Sequence, residues 1–134
     1  MRHYQVVAAV IEFGNRFLCV ERGKTRYAYT SFKYEFPGGK IEPGETAREA
    51  LHREIIEELN YDVSVGEELI TVEHIYPDFS IKMTAFHCTA HHDHPTLSEH
   101  VEAQWLKADE LGTLDWAEAD KGIVEKMMKM KMKT

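Results

Sequence analysis

The chain has no long hydrophobic run. Its longest N-terminal apolar stretch, Val6 to Ile11, is too short for a signal sequence or a membrane span, and no membrane partner is expected. It also lacks a basic excess. Sixteen Lys and Arg face 23 Asp and Glu, a net charge of −7, which argues against a general nucleic-acid binder. A phosphorylated small molecule stays open, because a bound metal ion can reverse the local field. Cysteine is scarce: Cys19 and Cys88 each lie inside an apolar, strand-like run and read as buried free thiols. That usage suits a reducing, cytoplasmic compartment. There is no repeat and no low-complexity linker. At 134 residues, one domain spanning residues 1–134 is expected, large enough to bury a single core.

Apolar patterning supplies the elements. Tyr4 to Glu12 and Arg16 to Glu21 read as two strands joined by a turn at Gly14-Asn15. Their nearly continuous apolar character predicts cover on both faces. Arg22 to Lys33 is a basic, aromatic loop in an acidic protein. It is either a solvated loop or a substrate-facing lip. A short strand over Lys33–Phe36 leads into Pro37-Gly38-Gly39-Lys40, a turn where backbone must come close to something. Further strands are expected over Val63–Val65 and Leu69–Tyr76, broken at Gly66, then over Ser80–His91 and within Glu102–Lys107. The His91–Pro95 segment matches no defined metal spacing and reads as a polar loop. A terminal helix is expected over Asp115–Met132, its Met/Lys end (127–134) fraying.

The most informative stretch is Phe36 to Tyr61. It holds three of the eight glycines and then a helix over Ala47–Leu59. Thr46 and Glu49 form a capping box, and Leu51, Ile55 and Leu59 make the buried stripe. Asn60 stands where a left-handed residue ends a helix. Arg53 can reach Glu49 and Glu57. Glu54, Glu57 and Glu58 share one surface, where like charges at these spacings cost about 0.2–0.5 kcal/mol per pair. A cation between them removes that cost, so the stretch reads as a divalent-metal site.

From Gly39, the spacing runs Gly, five residues, Glu45, seven residues, Arg53-Glu54-Ile55-Ile56-Glu57-Glu58-Leu59. This resembles the signature box of the Nudix hydrolase superfamily. Asn60 and Tyr61 replace the Gly and aliphatic residue that follow in the family pattern. Glu35-Phe36-Pro37-Gly38-Gly39-Lys40 is similar to the segment preceding the box in the MutT-like nucleoside triphosphate pyrophosphohydrolases.

The resemblance implies an α/β fold: an α/β/α sandwich with a mixed sheet. It implies Mg²⁺, with Mn²⁺ able to substitute, held by the Gly38 carbonyl, Glu54, Glu57, Glu58 and a further acid, Glu99, with Glu102 as its rival. All-oxygen ligands suit Mg²⁺ and argue against Zn²⁺. By the same resemblance Glu54 is the general base, Arg53 orients Glu54 or Glu57, and Lys40 stabilises the departing phosphate. Arg22 contacts the triphosphate, Phe36 is a further substrate-binding residue, and Asp120 is an acceptor at the base edge. The implied reaction is NTP plus water to NMP and pyrophosphate by attack at the β-phosphorus. Oxidised dGTP is the favoured substrate, in nucleotide-pool sanitation and DNA repair. CTP or a modified dCTP is the alternative, followed by ADP-ribose or a dinucleotide. A non-catalytic nucleotide-binding module is disfavoured because the box is intact. A monomer or weak homodimer is expected.

Overall fold

A computed structural model of the chain describes residues 1–132. Strand β1 (Arg2–Phe13) organises the sheet. Along one edge it runs parallel to β6 (Phe79–Ala90), from Arg2 opposite Phe79 to Glu12 opposite Thr89. Its other edge is shared. Only Glu12 and Phe13 pair with β2 (Arg16–Arg22), through a turn in which Gly14 and Asn15 take φ of 58° and 66°. Beyond the turn the two strands part, and β4 (Gly38–Lys40) pairs with Val6–Ala8. Gly38 makes that insertion possible, since a β-carbon there would collide with the Val7 carbonyl. β2 in turn pairs antiparallel with β3 (Tyr34–Glu35) and β7 (His100–Leu106), and β5 (Val63–Ile75) with β6. One parallel pair in an otherwise antiparallel set makes the sheet mixed.

Strand alternation feeds two cores. Val7, Ala9, Ile11, Leu18, Val20 and Cys88 face α1 (Ala47–Leu59), meeting Leu51, Ile55 and Leu59. Full burial of those three side chains stabilises the fold by about 1.5–3 kcal/mol each. Ala8, Val10, Phe17 and Cys19 face the opposite layer, built on Leu111, Trp116 and α2 (Lys121–Met132), which contributes Ile123 and Met127. The helix–sheet–helix sandwich follows from this two-sided pattern.

The α1 boundaries match the sequence reading, as do the Thr46–Glu49 capping box and the left-handed Asn60 at φ 46°. Three expectations are corrected. β5 is one strand, not two, and it absorbs Gly66 in register shifts between Val65 and Ile70. The terminal helix begins at Lys121, not Asp115. Tyr34 donates its N–H to the Asp115 carbonyl and accepts the Ala117 N–H, both at 2.9 Å, so this segment serves the sheet. A 3-10 turn at Glu118–Asp120 then leads into α2. The expected fray does not begin at Met127, which is buried in a helix continuing to Met132; residues 133–134 lie outside the described residues. The His91–His94 segment is an exposed loop, as expected. No described helix is long and apolar enough to cross a membrane.

Candidate active site

Arg53 ties the glycine loop to the helix. Its Nε and Nη2 donate to the two Glu45 carboxylate oxygens at 2.7 and 2.9 Å, and Nη2 also reaches the Lys40 carbonyl at 3.1 Å. Nη1 donates to Glu54 at 2.9 Å and Glu57 at 3.3 Å. The expected Glu49 contact is absent, because the Glu49 carboxylate is taken by the Thr46 N–H in the capping box. A planar guanidinium satisfied on every side holds Glu54 in place. Arg53 also pulls the Glu45 carboxyl down to about 2, helped by a backbone hydrogen bond with Glu42.

Glu58 is the buried member of the acidic surface, 6% exposed, and its Oε2 has no hydrogen-bond partner. Burial pushes its carboxyl up to about 9, reinforced by the Glu35 charge, by a proton it can share with Glu54, and by Glu99. Glu99 reaches this neighbourhood through backbone. The Thr96 N–H donates to the Leu59 carbonyl at 2.8 Å, and Ser98 Oγ to the Glu58 carbonyl at 2.8 Å. The last α1 carbonyls thus seat the loop that carries Glu99. Glu102, the other candidate for that acid, lies beside the Tyr34 hydroxyl.

Among the described residues, no three His, Cys, Asp or Glu side chains converge as they stand into a ready cation cage. Glu57 leans on Arg53 instead. The donor set nevertheless fits a hard divalent cation. A buried, unpartnered carboxylate oxygen sits among three further carboxylates, with neither sulfur nor imidazole from the signature stretch. A cation there would offset the burial and the neighbouring charges that together raise the Glu58 carboxyl.

A cleft of about 1010 Å³ opens beside this cluster, bordered by Arg22, Glu35, Phe36, Gly38, Gly39, Lys40 and Asp120. The α1 carboxylates lie past its Gly39 end. At the floor, Asp120 is 5% exposed and its Oδ2 accepts the Phe36 N–H at 2.9 Å. Burial, then the Glu35 charge, raise its carboxyl well above the usual range. Phe36 is buried and stacks on Trp116 with centroids 4.6 Å apart. Lys40 Nζ lies 4.1 Å from the Tyr4 ring centroid at the rim. The basic lip is ordered. Thr25, Thr30 and Ser31 hydroxyls bond across it, and Tyr29 donates to Asp78 at 2.6 Å, tethering it to the β5–β6 turn. Arg22, Arg26 and Tyr27 of the lip border the cleft.

Two residues without a role in the sequence reading enter here. Glu35 lies between the acidic cluster and the cleft floor, raising both Glu58 and Asp120. His100 donates to it from a fully covered position. Glu35 stands in the motif before the box, but nothing in the local pattern marks His100.

A NUDIX domain model matches residues 1–127, and the chain belongs to that family. Among curated relatives, it is 31% identical to the CTP pyrophosphohydrolase of Escherichia coli K12 over 98% of this chain and 96% of the relative. It is 33% identical to the putative 8-oxo-dGTP diphosphatase 2 of Mycobacterium tuberculosis H37Rv, over 87% of this chain and 82% of that one. Among solved structures, it is similar to a MutT protein of the Nudix hydrolase family from methicillin-resistant Staphylococcus aureus. That match has 40% identity and a TM-score of 0.75 over 97% of this chain and 99% of that one.

Proposed function

We propose that this protein is a divalent-cation-dependent nucleoside triphosphate pyrophosphohydrolase that removes oxidised dGTP from the nucleotide pool. The observation carrying the reaction class is Glu58, buried with an unpartnered oxygen among Glu54, Glu35 and Glu99 beside a nucleotide-sized cleft. The Gly38 carbonyl, Glu57, Glu58 and Glu99 would hold Mg²⁺, and Mn²⁺ would fit the same oxygen donors. Bound there, the cation supplies charge neutralisation for the polyphosphate and lowers the pKa of water. Glu54, fixed by Arg53 and free of covering bulk at Gly39, takes the proton of the attacking water. Lys40 and Arg22, at the rim, receive the phosphate charge.

The base enters toward Asp120. Its Oδ2 accepts the Phe36 amide N–H, and burial raises its carboxyl well above the usual range. In its protonated form it would offer the base an O–H donor as well as oxygen lone pairs, which suits the O6/N7–H edge of an oxidised guanine. The same carboxyl matches the N3/N4–H edge of cytosine, and the near end-to-end similarity to a CTP pyrophosphohydrolase supports that second reading.

The test is a panel of 8-oxo-dGTP, dGTP, CTP, 5-methyl-dCTP and ADP-ribose with Mg²⁺, reading pyrophosphate against orthophosphate. Pyrophosphate release is expected, with the highest kcat/KM on 8-oxo-dGTP. A maximum on CTP moves the assignment to the second reading, and no pyrophosphate from any triphosphate rejects the reaction. Glu54→Gln is expected to lose about 10²–10⁴-fold in kcat while remaining folded; full activity would reject Glu54 as base.

A further inference from the structure

The His100 side chain is covered against the grain of its strand. On β7, Ala103 and Trp105 face the α1 side, so regular alternation would turn Val101 inward and His100 outward. A register shift between Glu21 and Arg22 of β2 places His100 opposite Arg22. The result is inverted: the His100 side chain is 3% exposed and Val101 is 61% exposed. Bulges of this kind re-aim side chains next to active sites. The imidazole is poorly rewarded as a core group, because its Nδ1 has no partner. An apolar residue would fill the space without stranding a polar atom.

What His100 does have is one bond. Its Nε2 lies 3.0 Å from Glu35 Oε2. The other oxygen, Glu35 Oε1, lies 3.3 Å from Arg22 Nε at the border of the cleft. Adjacent strands bring the three together, β7 and β3 on the two edges of β2. A carboxylate held by His100 at one oxygen can present the other in a fixed direction. Without that hold, Glu35 is free to rotate, and Arg22, whose side chain is 49% exposed, loses its anchor.

We propose that His100 is a positioning residue that acts through Glu35 to fix the Arg22 guanidinium for the polyphosphate of the substrate. This rests on the reading of Arg22 as a polyphosphate contact. The donor that matters is Nε2–H. A glutamine places its amide nitrogen near the Nε2 position, whereas asparagine reaches only as far as Nδ1.

The experiment measures binding of inorganic tripolyphosphate by titration calorimetry in metal-free buffer, with KM and kcat on the preferred triphosphate alongside. The proteins are wild type, His100→Gln, His100→Asn, Arg22→Gln and the Arg22→Gln/His100→Asn double variant. His100→Asn and Arg22→Gln should each weaken tripolyphosphate binding about tenfold, the scale of one charge-assisted contact. The double variant should bind no more weakly than Arg22→Gln, and His100→Gln should stay within about twofold of wild type. KM should rise with the binding loss while kcat changes little, a split that general loosening of the fold would not give. The proposal is overturned if His100→Asn binds like wild type, if Gln and Asn lose equally, or if the two losses add. Should His100→Asn fail to fold by circular dichroism, His100→Met, apolar and unable to donate, carries the same expectation. Absence of pyrophosphate release in wild type would reject the proposed reaction and leave this binding cycle readable.

Discussion

The Glu54 carboxylate occupies the space that a β-carbon on residue 39 would need. A methyl at Gly39 would lie 2.6 Å from Glu54 Oε1, and the other carboxylate atoms are no farther. Glycine is required there for close approach, because the backbone of β4 packs against the proposed base.

Gly39→Ala therefore displaces the Glu54 side chain without breaking a strand. A shift of about 1 Å in a reacting group can cost about 10²-fold, and a loss of that size in kcat is expected. The thermal midpoint should move little, since the clash is with the end of a side chain. Gly38→Ala makes the contrast, because its clash is with the Val7 carbonyl of the β1–β4 ladder, and it should destabilise the fold outright. Thermal melts beside steady-state kinetics separate the two.

In the absence of divalent cations, stability should fall as pH rises from about 5 toward 9. Glu58 binds its proton in the folded state up to about 9, whereas the unfolded chain releases it near the ordinary carboxylate value. Between those values the folded state holds more protons, so raising the pH favours unfolding. Asp120, raised by burial, adds in the same direction. Mg²⁺ competes with the Glu58 proton, so the rise in midpoint on adding Mg²⁺ should be larger at pH 8.5 than at pH 6. Melts with EDTA and with Mg²⁺ across that range check both slopes. Equal Mg²⁺ effects at the two pH values would remove Glu58 from the cation site.

Glu45 has the opposite sign. Arg53 depresses its folded value to about 2, so its contribution is present above the ordinary carboxylate range and disappears as pH falls toward 2. Glu45→Gln should be less stable than wild type at neutral pH, and the gap should close in acid. With one end of Arg53 released, Glu54 is held less firmly, and kcat should fall about tenfold. Paired melts from pH 2 to 7 test the stability half.

Asp120→Asn retains a donor and an acceptor at the cleft floor, and Asp120→Ala retains neither. If the protonated carboxyl meets the base, Asn should keep kcat/KM within about tenfold, while Ala loses about 10²-fold, the scale of one or two buried hydrogen bonds. An Asn variant as impaired as Ala would show that the ionised carboxylate is needed.

The sequence made the local parts of this site legible. The α1 limits, the capping box and Asn60 come from rules that act within four residues, and so does the clustering of Glu54, Glu57 and Glu58. Arg53 was legible as a partner of Glu57 but not of Glu45, eight positions away and on the loop. The role of Gly39 depends on β4 entering between β1 and β2, a long-range pairing with no local mark. The same holds for His100, whose side chain is turned in by a bulge at Val101 of its own strand, defined only by the pairing with β2. Nothing local in Asp115-Trp116-Ala117 separates it from the helix that follows, and its backbone is claimed by Tyr34 from a distant strand.

Cys19 and Cys88 lie on opposite faces of the sheet, one in each core. Burial pushes both thiols up to about 12. Neither offers a thiolate near neutral pH, and the sheet between them forbids a mutual disulfide. A peroxide flux that oxidises guanine nucleotides thus finds no thiolate to attack here. On the proposed function, the need for this enzyme would rise under the conditions that inactivate thiol-dependent hydrolases, and its two cysteines give it no share in that weakness.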